Sequence, residues 1–240
     1  MIRQDSFAPL EWYHLYSRGI DKRIVFGNQG DFERFLKLLY LGNDTKEINL
    51  ELLKKIPYRD IFTLPRTPIV AMGAHCLMDN HPHLLVQEKI EGGITKFMRK
   101  IGTAYTMYFN TKYSRIGNLM VKPFRSKHIS EDGYFHRVAQ YIHLNPAEIF
   151  EPGWKQGIVN NPAQLEKKLL EYKYSSLPDY FGKEKRPEHT ILDAEAFGLI
   201  KENLPPLAHV LKEAQLYYQE IESSLAVKPR GRPKKVSPFN

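Results

Sequence analysis

A single cysteine, Cys76, is the only thiol in 240 residues. It excludes an internal disulfide and any zinc site built from several cysteines, fits a reducing compartment, and reads most simply as a small buried hydrophobe. Long apolar runs are also missing. No stretch approaches the ~18 residues that span a bilayer, and the opening MIRQDSFAPLEWYH lacks the basic, apolar, small-residue order of a secretory signal. A cytoplasmic protein without a membrane partner is therefore expected. Acidic residues are absent locally. Thr95 to Lys127 holds eight Lys and Arg but no Asp or Glu, and the last fifteen residues hold five more basic residues with no acid. The rest of the chain is net acidic although the whole carries +8. A concentrated positive charge of this kind points to a polyanionic partner.

What is present reads as an α+β chain. EWYHLYSRG has strand composition, and DFERFLKLLYLG has helical spacing with Asp31 as its expected N-cap. Lys46 to Pro68 fits neither period. PIVAMGAHCLM, the turn Asp79-Asn80 and HPHLLVQ form an expected β-hairpin. A helix follows from about Ile94 to Lys112, its apolar residues recurring at three and four. FRSKHIS reads as a further strand and EDGYFHRVAQYIHLN as a helix stopped by Pro146. A last helix is expected over Leu207 to Leu225.

Chemistry gathers at two places. In a strand, residues i and i+2 share a face, so His81 and His83 present two imidazoles side by side while Pro82 points away. Paired neutral imidazoles suit a divalent cation, but two ligands make an incomplete site. A proline between them is tolerated mainly at a sheet edge or a bulge. In the helix EDGYFHRVAQYIHLN, Tyr134, Val138, Tyr141 and Asn145 form one stripe. It reads either as a packing face or as a nucleophile, Tyr141, with Asn145 as an oxygen ligand completing the metal site. Tyr134 is the next candidate nucleophile. His14, His75 and His128 read as packing or surface residues, and His143 as structural or DNA-facing.

Taken together, WYHLYSRG, HCLMDNHPHLLV, YIHLNP and YKYSSLPDYFG, in this order between about Glu11 and Gly182, resemble the IS200-like single-tyrosine HUH transposases. The branch most similar is the one associated with repetitive extragenic palindromes. The resemblance implies a ferredoxin-like antiparallel sheet with helices on one face and a helical C-terminal extension. It divides the chain into a catalytic domain over 1–150, an extension packed on it over 151–225, and a basic tail over 226–240. It implies His81, His83 and Asn145 as ligands of Mg2+ or Mn2+, Tyr141 as nucleophile, a 5′-phosphotyrosine intermediate, and hairpin-bearing single-stranded DNA as substrate. A bacterial, nucleoid-associated monomer or homodimer fits this reading.

The basic segment then acquires a DNA-binding role for Lys96, Arg99, Lys100, Lys112, Arg115, Arg125 and Lys127, with Tyr105, Tyr108, Phe109 and Tyr113 able to stack on bases or fill the core. In the tail, PRGRP resembles an AT-hook core whose Arg230 and Arg232 would enter the minor groove of A·T-rich duplex. Two alternatives stay open: a replication-initiating or relaxase-type nickase of the wider HUH group, and a DNA-binding protein that keeps the fold without the chemistry. A zinc hydrolase is disfavoured, because no third ligand stands at a customary spacing.

Overall fold

The structure, a computed structural model, describes residues 7–130 and 132–226. Its elements are β1 (Trp12–Tyr16), α1 (Gln29–Gly42), the short α2 (Leu52–Lys55), β2 (Val70–Met78), β3 (His81–Glu88), α3 (Gly93–Lys112), β4 (Arg125–Ile129) and α4 (Asp132–Leu144). Beyond them come α5 (Ala147–Phe150), α6 (Pro162–Glu171), α7 (Leu177–Phe181), α8 (Ala194–Glu202) and α9 (Leu207–Ala226). The strands form one antiparallel sheet in the order β2-β3-β1-β4, the ferredoxin-like arrangement. The segment that fitted neither period, Lys46 to Pro68, holds α2 and a 3-10 turn at Arg59–Thr63. The tail, with Arg230 and Arg232, lies outside the described residues.

The hairpin falls where the two strand-like runs and the Asp79-Asn80 turn put it, with Met78 opposite His81. Its proline is accommodated by register. β1 pairs with β3 only as far as Tyr16 opposite His83, so the outward side of Pro82 meets no strand that needs an amide donor. The backbone N–H of Leu77, opposite Pro82, likewise turns away from β3 and donates to Tyr174 O at 3.0 Å.

Strand parity separates the two faces. Leu84, Val86 and Glu88 share one face of β3, and the buried Glu88 carboxylate accepts from the N–H groups of Gly92 and Ile94 at 2.8 and 2.9 Å. It thereby satisfies orphan donors at the start of α3 and places that helix on this side. α1 packs against α3 closely. A Cβ on Gly42 would lie 2.6 Å from Ile101 Cγ2, which is why the last turn of α1 carries glycine. The N-cap of α1 is Asn28, whose side chain accepts from Asp31 N. Asp31 instead sits in the first turn, fully buried, and reaches back to Gly27 N at 3.0 Å, a reciprocal arrangement that sequence spacing alone assigned to the wrong partner.

The opposite face carries Trp12, His14, Tyr16, His81, His83 and Leu85. Trp12 meets Phe135 of α4 with ring centroids 4.8 Å apart, so α4 lies over this side. A β-bulge between Met72 and Ala74 brings Gly73 against Trp12, Leu85 and Ile200 of α8, and α8 shares the face. Both faces of β2 are thus covered, and all nine of its residues are buried. A second apolar cluster joins Leu144, Trp154, Leu165, Leu169, Leu177, Leu207 and Val210 beyond the end of α4. Each such fully buried aliphatic contributes roughly 1.5–3 kcal/mol.

Candidate functional site

The face under α4 is polar where the sheet meets the C-terminal half of that helix. The rings of His81 and His83 lie 4.5 Å apart by centroid, and Tyr141 stands edge-on to both His83 and His14 at 5.8 Å. These three elements converge because the apolar stripe Phe135, Val138, Ala139 and Ile142 seats α4 on the sheet. The adjoining stripe Tyr134, Val138, Tyr141 and Asn145 then borders an open trough of about 1070 Å³. Asn145 sits at the end of the helix, where its Nδ2 donates to Tyr141 O at 2.8 Å and its Oδ1 accepts no hydrogen bond among the described residues. The structure therefore brings His81, His83, Tyr141 and Asn145 to one cavity, with Tyr134 in its wall.

The nitrogens of the two imidazoles are disposed alike. His81 Nδ1 bonds the Asn80 side-chain oxygen, and His83 Nδ1 bonds His14 Nε2 at 2.9 Å. His83 Nε2 is buried without a hydrogen-bond partner among the described residues. Burial holds His81 at a pKa of about 4, helped by the positive charges of Arg18 and Lys155, and holds His83 well below its ordinary value. Both rings are neutral at pH 7 with a lone pair to offer. An orphaned imidazole nitrogen, a second neutral imidazole and a free carboxamide oxygen together fit a divalent cation taking mixed nitrogen and oxygen ligands. Among the described residues no group of three or more His, Cys, Asp or Glu is arranged for a metal, so Asn145 would be the third protein ligand.

Tyr141 is 40% exposed and its hydroxyl makes no hydrogen bond among the described residues. Burial raises its pKa, with smaller contributions from Tyr16, Cys76 and Tyr134. A phenol so placed is protonated at neutral pH and a weak nucleophile until positive charge is brought beside it. Tyr134 differs: Lys127 Nζ lies 4.6 Å from the centre of its ring.

Of the basic residues singled out in the sequence, Arg125 and Lys127 line the trough, because β4 parity puts them on the face of Tyr16 and His14. Lys96, Arg99, Lys100, Lys112 and Arg115 belong to α3 and the turn after it and do not line the trough. Lys96 donates to Thr45 O at 2.8 Å, and Lys100 is buried with its ammonium on the carbonyls of Asp44 and Lys46. Lys112 pairs with Asp31 at 2.7 Å, Arg115 donates to Asn110 Oδ1 at 3.0 Å, and Arg99 is exposed. Of the nearby aromatics Tyr105 and Phe109 are core, while the half-buried Tyr108 and the exposed Tyr113 bond Asp31 through their hydroxyls.

Sequence reasoning missed Arg18, Arg137 and Lys155 in the trough wall, and above all His14. His14 is buried, as a packing residue would be, yet it also lines the trough and bonds His83, and alternation in WYHLYSRG was the available signal, since it sets His14 and Tyr16 on one face. Lys155, paired with Glu148, comes from a segment with no recognisable pattern. His143 is buried against Ser176 Oγ at 2.9 Å, His75 is buried, and His128 pairs with Glu11 at 2.8 Å on the surface. Cys76 is buried, which pushes its thiol pKa up and leaves it inert.

Residues 65–145 match the family model described as IS200-like transposase. That span runs from just before β2 to Asn145 and encloses His81, His83, Tyr141 and Asn145. A solved structure of a REP-associated tyrosine transposase bound to a REP hairpin is also similar, at 12% identity and a TM-score of 0.45, over 76% of this chain and 86% of the other. No curated protein matches the chain. Among the described residues no helix is long and apolar enough to cross a membrane.

Proposed function

From a chain whose IS200-like segment encloses all four site residues, we propose a metal-dependent single-stranded DNA strand transferase that cuts and rejoins DNA beside hairpins through a 5′-phosphotyrosine intermediate. The observation that carries this reading is the convergence of His81, His83 and Tyr141 at one end of a trough walled by Arg18, Arg125, Lys127 and Arg137. The cations neutralise backbone phosphates of an unpaired strand and set its register. His81, His83 and Asn145 would hold Mg2+ or Mn2+, which would supply Lewis-acid stabilisation of the charge that develops at the scissile phosphate.

The chain does the rest. Tyr141 Oη forms a bond to phosphorus as the bond to the 3′-oxygen breaks. The phenol proton leaves, the 3′-oxygen gains one, and DNA remains joined to the protein through its 5′ end. Because one phosphodiester replaces another, a free 3′-OH can attack the phosphotyrosine and reseal a strand without ATP. Hairpin DNA is the proposed substrate class, and the tail with Arg230 and Arg232 is proposed as a separate contact to A·T-rich duplex.

The test uses single-stranded hairpin oligonucleotides with Mn2+ or Mg2+. Wild type is expected to form a denaturant-stable adduct that chelation abolishes, Tyr141→Phe to bind the same DNA without forming it, and Tyr134→Phe to retain it. An adduct from Tyr141→Phe would remove the proposed nucleophile.

A further inference from the structure

The His14–His83 pair poses a question that ligand geometry alone does not answer. A neutral imidazole carries its proton on either nitrogen, and only one choice leaves His83 able to ligate. If the proton sits on Nε2, a buried N–H is left with no acceptor among the described residues. If it sits on Nδ1, it is donated across 2.9 Å to His14 Nε2, and Nε2 keeps a bare lone pair on the trough side.

We infer that His14 is a positioning residue that accepts the Nδ1–H of His83, fixing the tautomer and ring orientation in which His83 Nε2 can take a cation. The inference rests on the metal-site reading above and assigns it a support that neither motif nor family match names. Three further observations agree with it. The two rings are near-parallel, 23° apart with centroids at 5.1 Å, and both residues are buried, so the pair is held by packing. His81 receives the same treatment from a different neighbour, its Nδ1 engaged by the Asn80 side-chain oxygen. Each imidazole of the pair thus has its rear nitrogen tied by its own partner, the arrangement that orients ligands in metal sites. His14 also stands edge-on to Tyr141 at 5.8 Å, so one ring borders both the ligand and the nucleophile.

His14 itself is not a ligand in this arrangement, because its Nε2 is occupied by His83. An apolar ring of similar size removes the acceptor while filling the volume. A glutamine can restore an acceptor oxygen near the position of Nε2.

The experiment compares metal-free wild type, His14→Phe and His14→Gln by 15N NMR of the histidine rings and by calorimetric titration with Mn2+. In wild type the His83 proton is expected on Nδ1. His14→Phe is expected to lose that signature and to weaken Mn2+ binding about 10–100-fold, with His14→Gln recovering most of the affinity. A wild-type His83 protonated on Nε2 overturns the inference, as does Mn2+ binding by His14→Phe as tight as wild type. If wild type binds no Mn2+, the metal reading fails while the tautomer readout still judges His14. Should His14→Phe not fold, the wild-type tautomer and the affinity of His14→Gln decide.

Discussion

The two faces of this sheet come from the same four strands and answer to different rules. On the α3 side, Leu15, Leu84 and Val86 are fully buried and even the charges are consumed internally: Glu88 caps α3, Lys100 is taken up by carbonyls, and Asp31 gathers Lys112, Tyr108 and Tyr113. On the α4 side, among the described residues, His83 keeps a buried nitrogen without a hydrogen-bond partner, and Arg18, Arg125 and Arg137 make no ion pair. The difference teaches that a basic stretch of sequence is not a surface. Thr95 to Lys127 is acid-free throughout, yet of its basic residues only Arg125 and Lys127 line the trough, because Lys96, Lys100 and Lys112 of α3 find acceptors 51, 56 and 81 residues upstream.

If the α3 face is structural, its buried carboxylate should matter for stability alone. Burial pushes the Asp31 pKa up, but hydrogen bonds from Lys112, Tyr113, Tyr108 and Gly27 outweigh burial and bring it below the usual range. Asp31→Ala strands several of these donors at once. It is expected to lower unfolding free energy in denaturant titrations by about 2–3 kcal/mol, with Mn2+ affinity unchanged. Loss of metal binding in the folded variant would show that the two faces are not independent.

A second, smaller effect comes from His75 in β2, whose pKa burial depresses to about 3, with Arg186 and His143 adding to the shift. Between pH 6.5 and 3 the unfolded chain binds a proton there that the folded chain refuses, so stability is full above pH 6.5 and falls as pH drops through that window. The slope from this residue is about 1.4 kcal/mol per pH unit. Urea titrations at pH 7 and pH 5 should therefore show a smaller loss for His75→Leu than for wild type, and an identical loss would remove His75 from the account.

The smallest expected effect sharpens the contrast between the two sets of cations. Arg125→Gln and Lys127→Gln should each make single-stranded DNA binding less salt-dependent, by about 0.7 in the slope of log K against log salt. Lys96→Gln and Arg99→Gln should leave the slope where it is. Equal changes in both pairs would place DNA on both faces.

Much of this was legible in the sequence for local reasons. The hairpin was readable because two short apolar-rich runs flank a two-residue turn, and the α4 stripe because Tyr141 and Asn145 are one turn apart. What stayed hidden depended on long-range partners. The N-cap of α1 went to Asn28 because Asp31 was needed by α3, and His14 looked ordinary because its partner lies 69 residues away. Pro82 looked disruptive only until the end of β1 was known.

The central claim is that the nucleophile stands on the α4 face at Tyr141, and trypsin separates it from its rival. Cleavage after Lys127, Arg137 and Lys155 puts Tyr134 in the peptide His128–Arg137 and Tyr141 in Val138–Lys155. Mass spectrometry of the digested protein–DNA adduct should find the 5′-phosphonucleotide on Tyr141 within Val138–Lys155. The same mass added to His128–Arg137, or to neither peptide, would contradict the assignment.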